Sequence, residues 1–160
     1  MSADLIEVAK KAASERAVRD HFDVKTHTRV GIGSGSTIKY VVDSIKETCN
    51  QQGSPPQILF VPTGYGSREL VTKAGLISID YQTLEPDHGL DVAFDGADEV
   101  DDDFNLVKGG GACLFQEKLV AARAKKFVVV AGMDIWYGCQ DQERSLTCCR
   151  LPQGSIAPSH

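Results

Sequence analysis

Arg29-Val30-Gly31-Ile32-Gly33-Ser34-Gly35-Ser36-Thr37, followed by Ile38, Val41, Val42 and Ile45, decides the fold of this chain. Arg29 to Ile32 predicts a short strand, the glycines and hydroxyls up to Thr37 a tight turn, and the apolar spacing from Ile38 a helix. The same alternation repeats outward on both sides. Downstream, Ile58 to Val61 predicts a buried strand, Pro62 to Gly66 a turn, Arg68 to Ala74 a helix stopped by Gly75, and Leu76 to Ile79 another strand. Leu90 to Phe94 and Phe127 to Ala131 predict two further strands, with a helix at Gln116 to Lys125 between them. Upstream, Leu5, Val8, Ala9, Ala12, Ala13, Ala17 and Val18 recur at helical spacing, which predicts an amphipathic helix over residues 3–20 with a polar outer face. Strands alternating with helices imply an α/β fold: three layers, a mostly parallel sheet with helices on both faces, Rossmann-like in outline.

The chain has 160 residues, 42% hydrophobic and 24% charged, which is the composition of one globular domain. Its net charge of -5 excludes a surface built to neutralise a phosphate backbone, so nucleic acid is not an expected partner. No apolar run approaches the length of about 18 residues that a membrane span needs. Met1 to Asp4 leads into a charged amphipathic stretch rather than a signal peptide, so a cytoplasmic protein without a membrane partner is expected. The five cysteines, Cys49, Cys113, Cys139, Cys148 and Cys149, form no zinc-type pairs and read as free thiols; no metal is expected. Periodicity ends near Gly132. The chain therefore divides into an α/β domain over residues 1–132 and a tail over 133–160 with no expected fold of its own.

Three segments can carry chemistry. In Gly33 to Thr37, glycines allow close backbone approach, a helix start presents free N–H groups and hydroxyls add donors, which suits a phosphate. The same residues also read as a plain turn with Ser or Thr capping the helix. Neither dinucleotide fingerprint nor P-loop fits, because Ser36 replaces the third glycine of the former and the G-K-[ST] ending of the latter is missing. Asp95-Gly96-Ala97-Asp98-Glu99 follows a strand directly, where parallel sheets collect ligand sites, so Asp95 and Asp98 are candidate catalytic groups. Asp101 to Asp103 read as a solvated acidic loop. Lys108-Gly109-Gly110-Gly111 sets a cation beside glycines that are costly to order without a reason, and Glu117 follows on the next helix, two turns in, facing either the same pocket or a surface lysine.

In their order and spacing these segments, together with the helix bearing Lys10-Lys11-Ala12, resemble the type A ribose-5-phosphate isomerase family over about residues 3–132. The resemblance implies an aldose–ketose isomerase that interconverts D-ribose 5-phosphate and D-ribulose 5-phosphate in the non-oxidative pentose phosphate pathway. It implies no metal and no organic cofactor, a sugar phosphate as the small-molecule partner, and a homodimer at full length. By the same resemblance Lys10, Ser34, Gly35, Ser36 and Thr37 hold the phosphate end, and Asp95, Gly96, Ala97 and Asp98 meet sugar hydroxyls. Lys108, Gly109, Gly110 and Gly111 line the reacting end, and Glu117 is the proton acceptor.

The residue types suit that reaction independently. Moving a carbonyl between C1 and C2 needs one base to lift and return a carbon-bound proton, and a cation to steady the enediolate oxygen between. Glu117 fits the first task, Lys108 the second, and Asp95 or Asp98 can shuttle a hydroxyl proton. Two other classes share parts of the pattern: a non-catalytic sugar-phosphate sensor, and an acyl-CoA transferase-like enzyme using a glutamate nucleophile. Beyond about residue 132 the resemblance stops. The family's later lysine region, the rest of its main sheet and its small α+β subdomain have no counterpart in 133–160, so an incomplete sheet with an unpaired edge is expected.

Overall fold

A computed structural model describes residues 3–51, 57–101, 106–108, 110, 112–131 and 147–150, with the backbone alone at residues 3 and 147–150. Helix α1 (Ala3–His21) precedes strand β1 (Arg29–Ile32), helix α2 (Ile38–Asn50), strand β2 (Leu59–Pro62), helix α3 (Tyr65–Lys73) and strand β3 (Ile77–Ser78). A 3-10 turn (Tyr81–Thr83) leads to β4 (Val92–Asp95), the short strands β5 (Glu99–Val100) and β6 (Leu106–Val107), helix α4 (Leu114–Arg123), β7 (Phe127–Ala131) and β8 (Thr147–Arg150).

Among the described residues the main sheet runs β3-β2-β1-β4-β7-β8, parallel from β3 to β7, with β8 antiparallel on β7. Side-chain alternation along the strands sorts the core into two halves. Val30, Ile32, Phe60, Val92, Phe94, Val128 and Val130 face one side, where Ala13, Ala17 and Val18 of α1, the Ile38–Ile45 stripe of α2 and Val71 of α3 cover them. Val61, Ala93, Val129 and Ala131 face the other, covered by Val120 of α4 and by Leu84, Leu90 and Val100. The expected three layers are present.

The order of strands fixes where a site can form. From β1 the chain moves outward to β2 and β3, then returns to the opposite side of β1 with β4 and β7. Connections after β1 and β4 therefore leave toward opposite faces and open a crevice at their carboxyl ends. At the amino ends Asp91 holds the sheet together: its Oδ2 accepts from the Thr28 and Arg29 amides at 2.8 and 3.1 Å, and its Oδ1 pairs with Lys125 at 2.8 Å. Burial raises the Asp91 pKa, but these donors outweigh it and hold the carboxyl well below the usual range.

Several expectations need correction. Leu5 and Val8 are exposed, because α1 meets the sheet only from Ala13 onward. Helix α4 begins at Leu114, so Glu117 lies in its first turn and not two turns in. The tail, expected to lack regular structure, contains β8, so the edge of β7 expected to stay open is paired from Val128↔Arg150 to Ala131↔Thr147. The remainder of 133–160, with Asp102 and Asp103, lies outside the described residues.

Candidate active site

Two glycines of the opening segment create the space. Gly31 and Gly33 point to the α4 side of β1. A Cβ on Gly31 would stand 2.5 Å from Val120 Cγ1, and one on Gly33 would stand 2.0 Å from Asp95 Oδ1. The first lets α4 settle against the sheet. The second lets the Asp95 carboxyl lie across the end of β1, where its Oδ1 accepts from the Ser34 and Gly96 amides at 3.1 and 2.8 Å.

Helix α4, seated by Gly31, aims Glu117 at the same place. Its carboxylate is 4% exposed and its Oε1 accepts a short hydrogen bond from the Ser34 hydroxyl. Lys108 arrives from the third direction. Strands β5 and β6 pair antiparallel, Glu99↔Val107 and Val100↔Leu106, and that ribbon folds the chain back over the end of β4. Lys108 Nζ then lies 3.0 Å from Asp95 Oδ2 and 3.5 Å from Glu117 Oε2, while donating to the Gly96 carbonyl. One ammonium thus sits between two buried carboxyls.

Burial dominates the electrostatics of Asp95. It pushes the carboxyl up, Lys108 pulls it back down, Glu117 pushes it up again, and it titrates at about 6. Such a group exchanges a proton readily near neutrality. It is also a costly component of the free protein, because two buried carboxyls share one cation.

The loop after β1 forms the far end of the crevice. Gly35 takes φ +106°, a conformation for which glycine is suited, and Thr37 stands at the start of α2 without a side-chain cap bond. The capping reading of this segment is thus not realised by Thr37. Lys10 reaches the loop from α1, its Nζ 3.0 Å from Ser36 Oγ and 2.9 Å from Glu7 Oε1. Tyr40 donates to the other Glu7 oxygen at 2.5 Å. Glu7 and Tyr40 escaped the sequence reading; the i,i+3 spacing of Glu7 and Lys10 was the available signal, and it resembles any surface pair.

Glu117, Lys108 and Asp95 therefore meet, with Ser34 touching both carboxyls. Asp98 does not join them: it is exposed, and its Oδ2 accepts from the Gly110 amide at 2.8 Å, where a Cβ on Gly110 would collide with it. Gly96 supplies its carbonyl to Lys108, and Ala97 is buried in the core on the α4 side of the sheet. Gly109 and Gly111 lie outside the described residues. Among the described residues no group of three or more His, Cys, Asp and Glu side chains is placed to hold a metal ion.

Comparison with known proteins gives the arrangement a context. Residues 59–135 match the family model described as ribose 5-phosphate isomerase A (phosphoriboisomerase A). A ribose-5-phosphate isomerase of Debaryomyces hansenii is 50% identical over 129 residues, 81% of this chain and 48% of that protein. One of Dictyostelium discoideum is 49% identical over 122 residues, 76% of this chain and 48% of that protein. Among solved structures, ribose 5-phosphate isomerase from Plasmodium falciparum superposes with a TM-score of 0.72 at 28% identity, covering 81% of this chain and 53% of that one. A D-ribose-5-phosphate isomerase in complex with phospho-erythronic acid superposes at 0.73 with 32% identity, covering 86% and 57%. The chain spans about half the length of the curated relatives it matches. Strand order, crevice and sequence thus agree in their similarity to ribose 5-phosphate isomerase A, whose family model residues 59–135 match.

Proposed function

We propose that this site interconverts D-ribose 5-phosphate and D-ribulose 5-phosphate through an enediolate, as a step of the pentose phosphate pathway in the cytoplasm. The observation that carries the reading is the convergence of Glu117, Lys108 and Asp95 at the carboxyl ends of β1 and β4. Glu117 takes the proton from C2 of the open-chain aldose and returns it to C1. Lys108 offsets the negative charge that develops on the enediolate oxygens, in a pocket dry enough for that attraction to be strong. Asp95, titrating at about 6, relays the hydroxyl proton between the two oxygens. Asp98, exposed beside Gly110, is placed to meet a sugar hydroxyl rather than to share the proton work.

The phosphate end falls to Lys10, Ser36 and the start of α2, where helix dipole and ammonium both favour an anion. The two cationic ends, Lys10 and Lys108, suit a ligand with anionic groups at both ends. Phospho-erythronic acid, bound by the solved relative, is such a molecule, and its planar carboxylate resembles an enediolate. Gly109, Gly110 and Gly111 complete the reacting end in this proposal, and the homodimer implied by the resemblance belongs to it as well.

Incubation with ribose 5-phosphate, followed by ketose formation, tests the reading. Glu117→Gln keeps the size of the side chain and removes the base, so turnover is expected to fall by about 10²–10⁴-fold. Equal turnover by both proteins would exclude Glu117 as the base. Stabilisation by ribose 5-phosphate without ketose formation in the parent protein would favour a sugar-phosphate binding module instead.

A further inference from the structure

Ser34 lies in the loop to which the phosphate reading assigns ligand binding, yet its polar atoms face the other way. Its hydroxyl donates to Glu117 Oε1, and its backbone N–H donates to Asp95 Oδ1 at 3.1 Å. The neighbours that can serve the phosphate, Gly35 and Ser36 beside Lys10, are exposed on the outer side of the loop. A single residue at the end of β1 thus reaches a carboxyl carried by α4 and another carried by β4.

We propose that Ser34 is a positioning residue for the proton-transfer pair: its hydroxyl holds the Glu117 carboxyl turned toward Lys108, and its amide fixes the facing oxygen of Asp95. This rests on the reading of Glu117 as base and deepens it. The geometry leaves each carboxyl one anchored oxygen and one working oxygen. Glu117 Oε1 is anchored by Ser34 and Asp95 Oδ1 by the Ser34 and Gly96 amides, while Oε2 and Oδ2 face Lys108. Both working oxygens are buried beside Lys108 and have no well-directed hydrogen-bond donor among the described residues, so neither is fixed as its anchored counterpart is. An anchored carboxylate keeps its free lone pairs in one orientation, which is what a base that lifts a proton from one carbon and returns it to the next requires.

The charged and titratable groups around Glu117 are few enough to make the test readable. Asp95 of β4 and Lys108 beyond β6 face it directly. Lys118 follows it on α4, the Cys113 carbonyl accepts from its amide at 3.0 Å, and β7 contributes only Phe127, Val128, Val129, Val130 and Ala131. Losing a donor to the ionised form raises a carboxyl's midpoint.

The test is a ¹³C-carboxyl NMR titration of Glu117 in the full chain, which needs no turnover. In Ser34→Ala the Glu117 midpoint is expected to rise by about one pH unit, and in Ser34→Thr, which keeps the hydroxyl, to return to the parent value. Ser34→Gly, also lacking the hydroxyl, gives the same reading if the alanine disturbs the loop. A Glu117 midpoint unchanged in both hydroxyl-free variants overturns the proposal, as does a rise in KM for ribose 5-phosphate with kcat and midpoint unmoved, which would return Ser34 to substrate binding. Failure of the base assignment looks different: full turnover in Glu117→Gln, whatever the titration of Ser34→Ala shows.

Discussion

At the scale of single residues, Asp95 shows how this site trades stability against reactivity. Its carboxyl is 2% exposed and titrates at about 6 in the folded protein, against an ordinary value of 3.8 when unfolded. Below pH 4 both states hold the proton and burial of the group costs little. As pH rises from 4 to 6 the unfolded chain releases its proton first, so stability falls, and above pH 6 the loss is complete. Two pH units correspond to on the order of 2–3 kcal/mol, with the pull of Lys108 already included. Asp95→Asn keeps an oxygen for the Ser34 and Gly96 amides and removes the charge. The variant is therefore expected to be more stable than the parent by about 2 kcal/mol at pH 7.5 and to lose that advantage at pH 4. Urea unfolding at the two pH values measures it, and an equal gain at both would show that charge is not the cause. On the proposed mechanism ketose formation is expected to fall in the same variant, because the relay assigned to Asp95 is removed.

Among the elements, α4 and β1 are bound together by an absent side chain. Gly31 of β1 lies under Val120, and its missing Cβ would also stand 2.7 Å from the Ala93 Cβ of β4. Gly31→Ala must push α4 outward, and the carboxyl of Glu117 with it, at a stability loss of about 1–3 kcal/mol. Val120→Ala removes the nearest clash, so the double variant is expected to recover part of both stability and turnover. Strict additivity of the two losses would mean that the helix is not held by this contact. The strand–turn–helix signal at Arg29 to Ile45 was legible because alternation and helical spacing both appear there at full length. For the same reason β2, β4, β7 and α2 fall close to their expected positions. Strands β5 and β6 were not legible: two residues each carry no periodicity, and Glu99-Val100 sits inside an acidic run. Yet that ribbon is what brings Lys108 over Asp95. The sequence named the members of the triad through motif resemblance, whereas the mutual role of Ser34 and Glu117, 83 positions apart, follows only from the packing of α4 against β1.

For the molecule as a whole, uncovered apolar side chains matter more than open strand edges. The β7 edge bears β8, and the opposite edge is the two-residue strand β3, too short to template another chain readily. By contrast Tyr65 at the start of α3 is 82% exposed and Phe115 in α4 is 73% exposed, with Leu114 beside it. The starts of the two helices are brought together where Gly64 meets the Cys113 thiol, so these side chains flank the rim of the site. Leu5 and Val8 add a second uncovered stretch on α1. Apolar surface of this kind drives association. The chain is expected to sediment as concentration-dependent assemblies, with Phe115→Ser combined with Leu114→Ser shifting the distribution toward monomer. Deleting residues 147–160 uncovers the backbone donors and acceptors of β7 and is expected to act in the opposite direction, raising association and lowering the melting temperature. Sedimentation velocity over a concentration series separates the two causes. If the serine variant associates as strongly as the parent while the deletion changes nothing, neither the rim nor the strand edge holds the assemblies together.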